Sequence, residues 1–435
     1  MKLIFDVSVL AWSVRSNKAK TGIFRVIENL LFQFLNDQDI DLYLSSIHGN
    51  FNDLKEYLKN NKINLPSTHL FVPQSSNRFK DKLFQTYLWI YQLLDRKNSP
   101  RFFSTFFVFL YICLSHPVLV LFGLYRYLYP IPKDYLSRQF VFHSTFLPIP
   151  KYIQNSKARK VITIYDLISI KYPEFFVGNK DDVVWKLIRN LTPDTNIITI
   201  SEHSKADLLD SNLGLSDQQI TVTPLAASSC FYRVDSQTKL ENDLSQFGLN
   251  YGDYVLSVST LEPRKNLKST IRAFLQLPSL KKNPKLKLVL LGGRGWGDSL
   301  EEIAGEYPGI FQERIVFLGF VPDEKLASIY SGAKFFVYLS FYEGFGLPPL
   351  EAMQCGLPVL VSNVSSLPEV VGDSGLYADP YDLSSIVTAM EKMIGGNEFR
   401  FSLSLRALER AKNFSWEETA RLTKKAYINS NENSF

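Results

Sequence analysis

Glu343 and Glu351 stand with seven residues between them in FYEGFGLPPLEAM, residues 341–353. Two carboxylates at this spacing can accept hydrogen bonds from neutral hydroxyls, and what lies between them suits a charged ligand. Gly344 and Gly346 let backbone amides come close to it. Pro348 and Pro349 fit the first turn of a helix, where a missing N–H costs nothing, and the free N–H groups of that turn favour a phosphate. Sugar and ribose hydroxyls are the partners this arrangement fits. Each acid also has a plainer reading: Glu343 as a solvated loop charge, Glu351 as a first-turn carboxylate stabilising its own helix dipole.

A second cluster is Glu262-Pro263-Arg264-Lys265-Asn266, which falls between a strand and a helix, with Asn266 expected as the N-cap. Two cations beside a helix amino terminus oppose its dipole by about 0.3–1 kcal/mol each. An anion between them, such as a diphosphate, removes that conflict. The alternative is a pair of exposed loop charges with Glu262 as a local partner.

These residues need a frame that brings them to one edge. Short apolar runs alternate with helical patterns along the whole chain, which predicts parallel α/β architecture. In the first half strands are expected at 2–7, 41–47, 139–143, 160–163, 196–200 and 219–222, with a helix at 24–35. After a polar stretch at 233–246, a second series is expected at 254–258, 287–291, 314–318, 334–339 and 358–361, with helices at 323–331, 347–354 and 383–394. The reading is two doubly wound, Rossmann-like domains, 1–234 and 235–413, facing each other across a cleft. Ligands of such sheets bind beyond the carboxyl ends of the strands, where Glu343 falls. Ser415 and Glu418, at capping-box spacing, open a closing helix within 414–435.

With 435 residues the chain exceeds one ordinary core, and 46% hydrophobic and 21% charged residues mark it as globular. A net charge of +5 suits an anionic ligand or membrane surface but falls short of a nucleic-acid binder. Cys113, Cys230 and Cys355 lie far apart, which excludes a zinc or disulfide pattern and points to a reducing cytoplasm. The opening MKLIFDVSVLAW carries Asp6 inside its apolar run, so it reads as a first buried strand and not a secretion signal. One segment breaks the rhythm. Residues 102–129, within an apolar insertion at about 80–135, are almost continuously apolar with basic flanks, which fits attachment in a headgroup layer, with buried helices or a span as alternatives.

Other patterns are weaker. Gly293, Gly295 and Gly297 do not form a dinucleotide fingerprint and read as a turn after a strand. Asp37-Gln38-Asp39 resembles the D-x-D of metal-dependent sugar transferases but sits in a helix-to-strand turn, where acids are routine. His48, His69, His116, His143 and His203 lack ligand spacing, so no metal is expected; His143, at a strand end, is the one worth testing.

Taken together, VSTLEPRKN, LVLLGGRGWGD, IVFLGFVPDEKLASIYSGA and FYEGFGLPPLEAMQCGLPVLVSN resemble the retaining glycosyltransferases of family 4. TGIFRVIENL, VFHSTFLP, ITIYDLISIKYPE, ITISEHSKADLL and FSWEETA extend the likeness to nearly the whole chain except about 50–135. The resemblance implies the GT-B fold, with the donor in the carboxyl-terminal domain and the closing helix crossing back to the first. By motif position it implies that Glu343, with Gly344, Phe345, Gly346 and Leu347, contacts the transferred sugar, that Glu351 holds the ribose, and that Arg264 and Lys265 bind the diphosphate. Gly22 would let an amino-terminal loop approach the phosphates. Two departures stand out: Ser259-Thr260 where many relatives carry Gly-Arg, and Tyr165-Asp166-Leu167 where many carry His-Asp-Leu, with Tyr165 still able to donate a hydrogen bond.

The resulting expectation is a retaining transferase that moves a hexose, mannose favoured, from a nucleotide diphosphate sugar to a glycan or lipid-linked acceptor in cell-surface polysaccharide synthesis. It would need no cofactor or metal and would work in the cytoplasm, attached to the membrane surface through 102–129. A sugar-nucleotide epimerase, a phosphorylase and a non-catalytic scaffold are the competing readings.

Overall fold

The computed structural model describes the chain except residues 15–21, 48–50, 73–79, 81, 85, 88–89, 91–110, 112, 116, 119–120, 122–123, 125–128, 177–182, 294–299, 320 and 430–435. Its strands are β1 (Lys2–Asp6), β2 (Asp41–Ser45), β3 (Leu70–Phe71), β4 (Phe140–Ser144), β5 (Arg159–Thr163), β6 (Thr195–Thr199) and β7 (Ile220–Val222), followed by β8 (Tyr254–Val258), β9 (Lys287–Leu291), β10 (Ile315–Gly319), β11 (Phe335–Tyr338), β12 (Val359–Ser362) and β13 (Gly375–Ala378). They form two sheets, ordered β3-β2-β1-β4-β5-β6-β7 and β10-β9-β8-β11-β12-β13, and every pairing with a described register is parallel. Both orders reverse beside the first strand of their series, as in a doubly wound fold.

The sequences of these strands explain their place. VLVS in β12 and FFVY in β11 are buried along their whole length, as parallel strands covered on both faces must be. In the second sheet, Val255, Leu288, Val337 and Leu360 pack with Ile271 and Phe274 of the helix Leu267–Leu275 and with Ile386 and Met390 of the helix Leu383–Gly395. Contacts divide the chain into one compact unit over 1–163 and another over 164–429. The last strand of the first sheet ends at Val222 and the first of the second begins at Tyr254.

The closing helix, Trp416–Asn429, starts where the serine–glutamate spacing put it: the Glu418 amide donates to Ser415 Oγ at 3.1 Å. It returns to β6 and β7, and Thr419 Oγ1 donates to the Pro224 carbonyl at 2.6 Å. Asp37 to Asp39 is a turn between the helix Gly22–Asn36 and β2, closed by the Asp39 amide on Asp37 Oδ1 at 2.9 Å. Among the described residues no cluster of His, Cys, Asp and Glu could hold a metal ion, and no helix is long and apolar enough to cross a membrane. Most of 102–129, and Gly295 and Gly297 with it, lie outside the described residues.

Candidate functional site

The second sheet delivers its chemistry from two loops. Beyond β8, Pro263–Lys265 forms a single 3-10 turn, and Asn266 follows with φ 53° before the helix Leu267–Leu275. Asn266 holds the N-cap position but does not cap with its side chain, contrary to the sequence expectation. Its backbone is in the left-handed conformation, and Nδ2 donates to the Pro380 carbonyl at 2.9 Å. Beyond β11, residues 339–346 lead into the helix Leu347–Gln354.

Arg264 and Lys265 do not stand as exposed loop charges. Both converge on Glu343: Lys265 Nζ donates to Oε1 at 2.6 Å and Arg264 Nη1 to Oε2 at 3.1 Å. Arg264 Nε also reaches Glu262 Oε2 at 2.9 Å, and Tyr338 OH donates to Glu343 Oε1 at 2.9 Å while accepting from Lys265. The side chains of Lys265 and Glu343 are 9% and 11% exposed. Burial alone would raise the Glu343 carboxyl, but Lys265 and Arg264 outweigh it and hold it at about 2. Burial, with Arg264 adding to it, holds the Lys265 ammonium below its ordinary value despite Glu343. Burial also works against the Arg264 charge, yet Glu343 and Glu262 more than offset it. Asp166 lies in the same field, its carboxyl raised by burial and pulled back by its bond from the Ile168 amide and by Arg264.

Backbone geometry holds this cluster in place. Ser366 Oγ donates to the Glu343 and Phe345 carbonyls at 2.9 and 2.8 Å, and Ser201 Oγ donates to the Gly344 carbonyl at 2.7 Å. A Cβ on Gly344 would sit 2.9 Å from the Tyr165 carbonyl, so only glycine lets the two loops approach this closely. Gly346 has φ 117° and a Cβ there would meet Leu367 at 2.8 Å. The Tyr165 carbonyl accepts from Ser204 Oγ at 3.1 Å, and its phenol is pushed up by burial.

Glu351 is not in the first turn. Leu347 is the first helical residue and no acid occupies that turn, so Glu351, fifth in the helix, does not stabilise the dipole from its end. It is buried, and Tyr330 OH donates to Oε2 at 3.0 Å. Gly22 belongs to the other compact unit, where it is the exposed first residue of the helix Gly22–Asn36. His143 is fully buried on β4, with Nε2 2.8 Å from Thr163 Oγ1. Thr260 donates to Glu262, so at the position of the Gly-Arg departure a hydroxyl braces the acid that holds Arg264. Sequence reasoning missed Tyr338, the last residue of β11, although its position five residues before Glu343 could have marked it.

Residues 244–410, which carry this cluster except Asp166, match the family model described as Glycosyl transferases group 1. The O-antigen chain mannosyltransferase B of Escherichia coli is 36% identical over 307 residues, which span 70% of this chain and 78% of that protein. The chain belongs to the group 1 glycosyltransferases. The transferase is also 30% identical to the serotype-specific mannosyltransferase WbdA of Escherichia coli, over 66% of its own length and 36% of that protein's. In fold it matches Anabaena HepE, solved with UDP and glucose, at a TM-score of 0.63 over 98% of this chain and 99% of that one, with 16% identity. A sucrose-phosphate synthase from Thermosynechococcus elongatus matches at 0.62 over 98% of both chains, with 20% identity. The two Rossmann-like domains are those of the GT-B fold.

Proposed function

We propose that this glycosyltransferase is a family 4 retaining enzyme that moves a hexose, mannose favoured, from a nucleotide diphosphate sugar to a glycan or lipid-linked acceptor. The observation that carries the reading is the convergence of Arg264 and Lys265 on Glu343 at the carboxyl edge of the second sheet, beside the helix Leu347–Gln354. Mannose is favoured because mannosyltransferases stand among the relatives.

The donor's diphosphate lies against Arg264 and Lys265, which give up part of their hold on Glu343 to it. Glu343 then accepts from sugar hydroxyls, with the backbone of Gly344, Phe345, Gly346 and Leu347 alongside, and Glu351 accepts from the ribose. In the transfer step the bond from the anomeric carbon to the β-phosphate oxygen breaks and the acceptor oxygen bonds to that carbon on the same face. The acceptor's proton passes to the departing phosphate oxygen. Arg264 and Lys265 neutralise the charge that grows there, the kind of preorganised stabilisation that dominates enzymatic rate enhancement. They supply positive charge without a divalent cation, so turnover should persist in EDTA.

Attachment to the cytoplasmic face of a membrane is part of this reading. Leu114, Val118 and Leu121 follow i, i+4, i+7 spacing and are exposed, Leu114 at 68% and Leu121 at 80%. Changing all three to Gln should abolish flotation with anionic liposomes; equal flotation would remove the attachment. A thermal-shift panel of GDP-, UDP-, ADP- and dTDP-sugars tests the donor, because a ligand that binds only the folded state raises its stability. Stabilisation by GDP-mannose above the others supports the mannose reading, and preference for another nucleotide overturns it.

A further inference from the structure

The chain places two consecutive aromatics ahead of Glu343, and they part company. Tyr342 turns inward, 2% exposed, and its hydroxyl bonds Asp207, which also takes Lys171. Phe341 is half-buried. Its amide donates to the Arg264 carbonyl at 2.9 Å, which ties it to the cationic turn, and its ring stacks with two others. Phe175 stacks on it, centroids 5.8 Å apart and planes 8° apart, and so does Tyr381, at 4.8 Å and 25°. Phe175 in turn stacks on Tyr172 at 5.6 Å and 20°. Three separate segments thus bring four rings together in pairwise stacks.

The stacked rings reach water at Tyr381, which is 66% exposed. That ring is not on a loose loop: its amide donates to Asp379 Oδ1 at 2.9 Å, the Asp379 amide donates to Ser385 Oγ at 3.0 Å, and the preceding Pro380 carbonyl is held by Asn266. A flat aromatic face pre-set beside a binding site loses little freedom when a ligand stacks on it. Asp379 and Glu174 lie near enough that, after burial and Tyr172, they help hold the Tyr381 phenol above its ordinary value. Carboxylates at the rim of an aromatic face repel phosphate but accept hydrogen bonds from hydroxyls. A pyranose ring matches both features, since one face presents C–H groups to the aromatic ring while its edge presents hydroxyls.

We infer that Tyr381, backed by Phe341, Phe175 and Tyr172, is a stacking platform for a neutral sugar ring of the acceptor glycan, beside the donor-binding cluster. The inference rests on the transferase reading above for what the site receives. The probes are mannotriose, followed by ligand-observed saturation-transfer NMR, and GDP-mannose, followed by thermal shift. Tyr381→Ala should weaken mannotriose binding about tenfold, the loss expected when a stacked ring is truncated. Tyr381→Phe, which keeps the face, should stay within about twofold, and both variants should keep the wild-type GDP-mannose shift. Equal mannotriose binding by wild type and Tyr381→Ala, or none by wild type, overturns the platform. Loss of the GDP-mannose shift in Tyr381→Ala assigns the ring to the donor and overturns it as well. Tyr381-dependent mannotriose binding without any GDP-mannose shift in wild type leaves the platform standing and removes the donor reading instead.

Discussion

Two carboxylates in the carboxyl-terminal half of the chain have the same kinds of partner. Glu343 takes Lys265, Arg264 and the Tyr338 hydroxyl; Asp243 takes Lys239 Nζ at 2.9 Å, Lys325 Nζ at 2.5 Å and Ser328 Oγ at 2.6 Å. Asp243 staples the helix Gln237–Ser245 to the helix Asp323–Ser331, and its lysines keep 41% and 29% of their side chains in water. Lys265 keeps only 9%. The two lysines respond in opposite directions: the bond to Asp243 holds Lys239 above its ordinary value, whereas burial holds Lys265 below. Exposed cations around one acid form an inexpensive clasp. Buried ones repay little of their desolvation, so such a cluster contributes weakly to stability, and its place at the ligand edge of the sheet is the reason to look for a function.

The sharpest break between the two clusters should appear in turnover. Lys265→Ala and Glu343→Ala should each lower kcat/KM for sugar transfer at least about a hundredfold, as when stabilisation of transition-state charge is lost. Asp243→Ala should leave kcat/KM of the folded protein within about twofold, measured in the same assay. Normal turnover in either of the first two would remove that residue from the site. Gly344→Ala comes next: its Cβ would press on the Tyr165 carbonyl and Asp166, and a displacement of about an ångström should cost roughly tenfold or more in kcat/KM.

Stability should separate the clusters less than turnover does, since each acid has buried partners. Asp243→Ala leaves a buried serine hydroxyl without its acceptor and should cost about 1–3 kcal/mol, read as a drop of several degrees in Tm. The smallest effect concerns acid. Glu343 is held at about 2, below its ordinary 4.5, so its contribution is present above about 4.5 and is lost as pH falls toward 2. His143, pushed by burial from 6.5 to about 3, is neutral in the folded state, so its contribution begins to be lost as pH falls below 6.5. His143→Gln should therefore flatten Tm between pH 6.5 and 4.5, where Glu343 does not yet titrate, and leave below 4.5 the part of the fall that Glu343 carries. An unchanged slope in the upper window would contradict the buried neutral ring.

The local patterns of the sequence carry much of this fold. β8 and β9 match their expected spans, because buried parallel strands are short apolar runs bounded by turn residues. β3 and β13 went unread: a two-residue strand has no periodicity, and GLYA opens on a glycine and is held in place by its pairing with β12. The Glu343 site was legible as two loops, since Arg264, Lys265 and Glu343 each sit beside a recognisable helix start. That the cations would close on Glu343 itself was not legible, because the pairs lie 79 and 78 residues apart in sequence. The helix Leu347–Gln354 has its expected bounds, and the first-turn reading of Glu351 fails because that start already makes it the fifth helical residue. Asp243 escaped notice for the same long-range reason, with Lys325 82 residues away.

The most direct test of the account is product analysis of wild-type protein incubated with radiolabelled GDP-mannose and a membrane lipid extract, with Lys265→Ala in parallel. Wild type should place label in a glycolipid, and Lys265→Ala should place at least about a hundredfold less there. Label recovered as a free sugar or sugar phosphate, or equal glycolipid from both proteins, would contradict it.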